Sequence, residues 1–188
     1  MLSLSDKITC SFPFCQVFLD SLAVSSCYYF AYGSNMNPAR MRARGLDFLT
    51  AEAAHLTNFV LCFNKEAHNN PGVAYANVVP AHDQHVEGVL YRLRGQGDIA
   101  LMDHYEGTPV RYSREVLSVQ TIETTQNAWV YMANPAYITR GLLPQSRYIQ
   151  HLLAGAEFLS EGYLEWLQQQ PCHQVEDGCP QRGLQYND

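Results

Sequence analysis

Two places in this 188-residue sequence put chemistry-bearing side chains at points where the chain reverses: the turn Tyr32-Gly33-Ser34-Asn35 and a lone acidic residue, Glu106, followed directly by Gly107. Ser34 lies where a strand gives way to a helix, the place a nucleophilic serine would occupy. The neighbouring residues Ala31 to Asn35 lack the Gly-x-Ser-x-Gly pattern of that chemistry, so the hydroxyl is a poor candidate. The backbone is a second resource. A strand-to-helix junction presents N–H groups that find no acceptor within the helix, and these can meet an anion or a developing oxyanion. Glu106 closes a helix with an apolar face, where a solvent-facing carboxylate is the ordinary expectation. If it is enclosed instead, burial and the negative end of the helix both disfavour its charge. Its pKa then rises toward the range useful for moving protons near neutrality.

Other chemistries lack their residues. No His-Glu-x-x-His occurs, and His82, His85 and Glu87 read as loop and strand-edge polarity rather than a metal set, so no metal site is expected. Gly95-Gln96-Gly97-Asp98-Ile99-Ala100 imitates a dinucleotide fingerprint. The helix it opens is cut short by Gly107 and Pro109, and no βαβαβ order surrounds it, so it reads as a loop and helix start and no cofactor is expected. The six cysteines show no Cys-x-x-Cys pair and read as cytoplasmic thiols, with a small Cys172–Cys179 loop as the alternative in an oxidising place. The net charge of −6, with only Lys7 and Lys65 as lysines, does not suit a phosphate-tracking surface, so nucleic acid is not an expected partner. Arg40, Arg42 and Arg44 read as an ordinary solvated surface. No apolar run reaches membrane-spanning length, and residues 1–27 read as a poorly ordered or peripheral extension.

The elements that must position the two features follow from pattern. Cys27 to Gly33 reads as a buried first strand, and Asn37-Pro38 as the cap and first turn of a short helix over Ala39 to Ala43. Strands are expected over His55 to Phe63, with Phe59, Leu61 and Phe63 on one face, then over Tyr75 to Val79 and Gln84 to Arg92. A polar loop is expected over Asn64 to Gly72. Asp98 to Tyr105 reads as a helix with Ile99, Met102 and Tyr105 inward. Arg111 to Ile122 and Ala128 to Met132 read as a hairpin turning near Thr124 to Asn127, with Arg111 and Arg114 facing water. Helices over Gln145 to Leu153 and Ser160 to Gln169 complete one α+β domain over residues 28–170, and a frayed tail is expected over 171–188.

Taken together, several stretches resemble the gamma-glutamylcyclotransferase-like family, which includes the AIG2-like proteins. Tyr29-Phe30-Ala31-Tyr32-Gly33-Ser34-Asn35-Met36 is similar to its opening signature, and Asp103-His104-Tyr105-Glu106-Gly107 to the helix end carrying its catalytic glutamate. Val86-Glu87-Gly88-Val89-Leu90-Tyr91 resembles the strand between them. Ala128-Trp129-Val130-Tyr131-Met132 and Pro144-Gln145-Ser146-Arg147-Tyr148 resemble the late strand and helix that each bring a tyrosine to the pocket. The resemblance implies a small mixed β-barrel flanked by helices, acting without a cofactor. It implies conversion of a γ-glutamyl compound to 5-oxoproline with release of an amino acid or amine. Glu106 would be the catalytic residue, and Tyr32, Gly33, Ser34, Asn35, Tyr131 and Tyr148 would bind substrate. Asn35 differs from the residue usual at that place in the glutathione-specific branch. Release of an amine from a γ-glutamylamine or a γ-glutamylated metabolite, and a non-catalytic binder of acidic small molecules, are the alternatives. Self-association into a homodimer stays open.

Overall fold

The aromatic run Cys27–Ala31 forms strand β1, with Phe30 and Ala31 wholly enclosed. These observations come from a computed structural model that describes residues 26–174. The expected extension lies almost entirely outside the described residues, as do the tail beyond Gln174 and the partner of Cys172 in the suggested Cys172–Cys179 loop. The strands are β1, β2 (Phe48–Glu66), β3 (Ala74–Leu93), β4 (Tyr112–Gln120) and β5 (Thr125–Ala133). They close a barrel in the order β1-β3-β2-β4-β5. All neighbours are antiparallel except the closing pair, where β1 meets β5 in parallel with Tyr29 opposite Trp129. The small mixed β-barrel flanked by helices that the resemblance implied is therefore the architecture of this chain.

Local signals account for the helices. In α1 (Pro38–Ala43) the Asn37 side chain accepts from the Ala39 and Arg40 N–H groups at 2.9 and 3.3 Å, and Pro38 gives up no helical bond at the first position. In α2 (Gln96–Glu106) the Asp98 carboxylate accepts from the Arg94 and Gly95 N–H groups, so the glycine pair begins a helix. The strands on either side of it, β3 and β4, are not neighbours in the barrel, unlike those of a dinucleotide unit. Gly107, in the left-handed region at φ 66°, ends α2 immediately after Glu106. Ile99 and Met102 face the core as expected, but Tyr105 is 37% exposed and donates to the Arg44 carbonyl, leaving Glu106 to point inward. Two late helices, α3 (Ser146–Leu153) and α4 (Glu161–Gln168), pack beside the barrel. Glu87 accepts from the Ser160 N–H and hydroxyl at 2.7 Å each and so holds the cap of α4.

Three expectations about strands need correction. First, Phe48 to Ala54 carries alanine and glutamate, residues poor in β propensity, yet it is strand because it pairs along β3 from Leu93 to Gly88. Second, the two strands expected on either side of Pro80 to Asp83 are one. The break is a bulge, where the register steps from Thr57–His85 to Phe59–Pro80, with Asn58 and Asp83 at positive φ. Third, the hairpin turns at Thr121 to Thr124, earlier than expected, because the Thr121 hydroxyl accepts from the Glu123 and Thr124 N–H groups and builds the turn itself.

The core fills the barrel with Phe30, Tyr91, Leu90, Leu56 and Val130, each at most 2% exposed. Burying one such side chain stabilises by about 1.5–3 kcal/mol before ordering costs. Gly88 marks the tightest approach, since a β-carbon there would stand 2.3 Å from the Ala31 carbonyl oxygen. Among the described residues no helix is long and apolar enough to cross a membrane.

Candidate active site

A cavity of about 250 Å³ opens at one end of the barrel, small enough for a dipeptide-sized ligand. Its wall includes every side chain and turn residue singled out from the sequence: Tyr32, Gly33, Ser34 and Asn35 from the turn after β1, Glu106 from the end of α2, Tyr131 from β5 and Tyr148 from α3.

Asn35 organises the centre. It is 3% exposed, and its amide nitrogen donates to Glu106 Oε1 and to the Tyr29 hydroxyl, both at 3.0 Å. Its amide oxygen accepts from Arg44 Nη1 at 2.9 Å. Because a guanidinium can only donate, this contact fixes which way the amide points. The Tyr91 hydroxyl holds the Asn35 carbonyl at 2.9 Å. The sequence suggested a backbone role for Asn35, and the side chain's seat against Glu106 was not legible there.

Glu106 is 17% exposed, with its carboxylate turned to the cavity. Burial raises its pKa above the ordinary carboxylate value, while Arg44 and the Asn35 bond oppose the rise. Arg44 Nη1 stands 4.0 Å from Oε1, at the edge of ion-pair reach, so Arg44 acts through its charge while Asn35 makes the direct contact. The result is a carboxyl that ionises less readily than a surface glutamate and can both take and return a proton.

The tyrosines divide by what their hydroxyls do. Tyr32 donates to the Tyr131 carbonyl, which ties the turn to β5. Tyr131 donates to Asp103 Oδ1 at 2.8 Å, so its hydroxyl is taken and its ring serves as wall. The Tyr148 hydroxyl accepts from the Ala76 N–H at 3.1 Å, which leaves its own proton to give, and it stands 3.0 Å from where a β-carbon on Gly33 would be. Burial pushes the pKa of all three upward, so they are neutral donors rather than bases.

Several cavity residues were missed or misplaced by sequence reasoning. Arg40 and Arg44 are 4% and 8% exposed and line the site; only Arg42 of the three arginines is exposed, and it lies over the Phe48 ring. Their i, i+4 spacing puts Arg40 and Arg44 on one helix face, which was the available signal. Lys65, assigned to a polar loop, is a β2 residue that continues the inward alternation of Leu61 and Phe63 and is 2% exposed. Arg111, expected to face water, lines the cavity. Arg114 lies outside it, paired with Asp103 at 2.9 Å and stacked on Trp129. His82 and His85 are exposed and contact Asp83 and Glu87, away from the cavity. Among the described residues no group of three or more histidine, cysteine or acidic side chains converges as a metal site would require.

Comparison with solved structures gives the same architecture. A structure described as a gamma-glutamyl cyclotransferase superposes with a TM-score of 0.70 at 21% identity, covering 83% of this chain and 94% of that one. A human protein described as uncharacterized gives 0.69 at 22%, covering 84% and 94%. YkqA from Bacillus subtilis gives 0.68 at 23%, covering 84% of this chain and 59% of its own length. At such identities the likeness is one of fold. Among curated proteins the sequence has no significant match. The family described as gamma-glutamyl cyclotransferase, AIG2-like, matches residues 29–151, well over half of the sequence. The chain belongs to that family.

Proposed function

We propose that this protein is a γ-glutamylcyclotransferase, converting a γ-glutamyl amino acid or related compound to 5-oxoproline and releasing the amino acid or amine. The observation that carries this reading is the Glu106 carboxyl, enclosed and raised in pKa, held at 3.0 Å by Asn35 in the same cavity as the turn Gly33 to Asn35. The substrate supplies its own nucleophile. Its α-amine attacks its γ-carbonyl carbon, the new C–N bond closes a five-membered lactam, and the bond to the departing nitrogen breaks. No serine, cysteine or metal has to act.

The protein has three tasks. It must fold the substrate so that amine and carbonyl meet, which recovers roughly 7–11 kcal/mol in well-aligned intramolecular reactions. It must also take the ammonium proton, and Glu106 does so before returning a proton to the departing nitrogen, which leaves poorly as an anion. Finally it must hold negative charge. The N–H groups of Gly33, Ser34 and Asn35 serve the γ-carbonyl oxygen and the α-carboxylate, and the Tyr148 hydroxyl donates to the glutamyl part. Tyr32 and Tyr131 wall the slot.

The test is incubation with γ-glutamyl amino acids, γ-glutamylamines and glutathione, followed by detection of 5-oxoproline with no added cofactor. Product from the parent but not from Glu106→Gln supports the mechanism, whereas equal turnover by the two removes Glu106 from it.

A further inference from the structure

Lys65 holds one of only two lysine ammonium groups in the chain, and it sits buried on the wall of the same cavity. Its nitrogen lies 5.5 Å from the ring centres of Tyr75 and Tyr112 and 5.9 Å from that of Tyr137. Aromatic faces attract a cation but do not satisfy its three N–H donors as oxygen acceptors would. Among the described residues no hydrogen-bond acceptor or carboxylate partner takes up those donors. A desolvated charge in that condition is costly unless something arrives to pair with it.

Arg111 faces the same cavity. Its aliphatic stem packs over Gly107, the residue that follows Glu106, within 2.9 Å of where a β-carbon would stand, and its guanidinium does not pair with Glu106. Burial and Arg111 together hold the Lys65 pKa below the ordinary lysine value, with Glu106 and Glu66 acting the other way. Two like charges converging on one void repel each other until an anion joins them. Neither is committed to the carboxylate at the centre, because Glu106 has Arg44 and Asn35 as its near partners. Glu106 is also the single acidic residue of the described lining, set against Arg40, Arg44, Lys65, Arg111 and Arg147.

We propose that Lys65 and Arg111 form an anion subsite that takes a carboxylate on the departing part of the substrate. The assignment rests on the cyclotransferase reading above. The glutamyl part is already served by the Gly33 to Asn35 turn and Tyr148, whereas Lys65 and Arg111 come from the end of β2 and the segment after α2. The favoured substrates are accordingly γ-glutamyl compounds whose leaving group is itself an acid, as in γ-glutamyl amino acids. A leaving amine that carries positive charge meets a cationic wall and is disfavoured.

Steady-state kinetics on γ-glutamyl-alanine and γ-glutamyl-ethylamide, which differ by the leaving carboxylate, test this in the parent, Lys65→Met and Arg111→Met. A charge-assisted hydrogen bond of about 1.5–3 kcal/mol corresponds to roughly ten- to 150-fold. The parent should favour γ-glutamyl-alanine by at least about tenfold in kcat/KM, and each variant should lower that ratio by a similar factor, chiefly through KM. A ratio that survives both substitutions, or a parallel loss on both substrates, overturns the assignment. If no γ-glutamyl compound yields 5-oxoproline, the cyclotransferase reading fails, and calorimetric titration with N-acetyl-alanine decides the subsite alone. Binding to the parent that is lost in Lys65→Met upholds the subsite. No binding to the parent, or equal binding to both, refutes it.

Discussion

Asn35 Nδ2 lies 3.0 Å from Glu106 Oε1, and the orientation of that amide is dictated from behind by Arg44. The carboxyl is therefore tuned by a neutral donor in contact and a cation one step further away. Both favour its ionised form, and burial opposes them.

Replacing Asn35 by alanine removes one of the two close influences that favour ionisation, so the Glu106 pKa rises further. In the proposed mechanism the ionised form accepts the ammonium proton, so the acid limb of the kcat/KM profile moves to higher pH. The plateau should also fall by about tenfold or more as the carboxyl loses its seat. A profile that scales down without moving would mean that Asn35 acts through the backbone alone.

Glu106 should also mark stability. A carboxyl whose folded pKa is raised contributes stability that is fully present below its unfolded value, near the ordinary 4.5, and is lost as pH rises through the folded value. Glu106→Gln keeps the shape and cannot ionise. Its melting temperature should match the parent's in acid and exceed it near neutrality, while activity drops by roughly 10²–10⁴-fold. Thermal melts of both proteins across pH 4 to 8 provide the check.

The turn should depend on its backbone more than on its hydroxyl. Among the described residues the Ser34 side chain makes no hydrogen bond, so Ser34→Ala is expected to cost less than about tenfold in kcat/KM. Tyr148→Phe should cost more. It removes the acceptor of the Ala76 N–H, worth about 1–3 kcal/mol if that group is left unpaired, and also the donor facing the turn. A larger loss from Ser34→Ala than from Tyr148→Phe would reverse the roles given to these residues.

Gly88→Ala tests the barrel away from the chemistry. The added carbon would meet the Ala31 carbonyl oxygen at 2.3 Å and the Phe30 ring at 2.9 Å, so β1 and β3 must separate. Overpacking of this kind costs about 1–3 kcal/mol or more. The denaturant midpoint should fall, and because β1 leads straight into the turn that lines the cavity, activity should fall with it.

Much of the site was legible because its signals are local. Asn37-Pro38 states a helix start, Gly107 states a stop, and the run from Tyr29 to Asn35 states a strand meeting a turn, each within a few residues. The arginines and lysine were not read because their burial is decided by partners far along the chain. Arg44 is enclosed by Asn35 and by Tyr105, some 60 positions later, and Lys65 by three rings from three other segments. The merged β3 strand was missed for a related reason. Pro80 and Asp83 look like an ending in isolation, and the strand is one only because β2 pairs on both sides of them, Phe59 with Pro80 and Thr57 with His85.

The parallel contact of Tyr29 with Trp129 is the seam that shuts the barrel, and it joins the first strand to the last. Such a join is made between segments about a hundred residues apart, which is slow to find and expensive in chain entropy. The β2 and β3 pair can zip locally, but the cavity needs Tyr32 from one side of the seam and Tyr131 and Tyr148 from the other. A complete cavity is thus a property of the closed ring. No short piece of the sequence carries it, since its lining runs from Tyr29 to His151, and a chain cut at the exposed Ile122 would recover it only when its halves reunite.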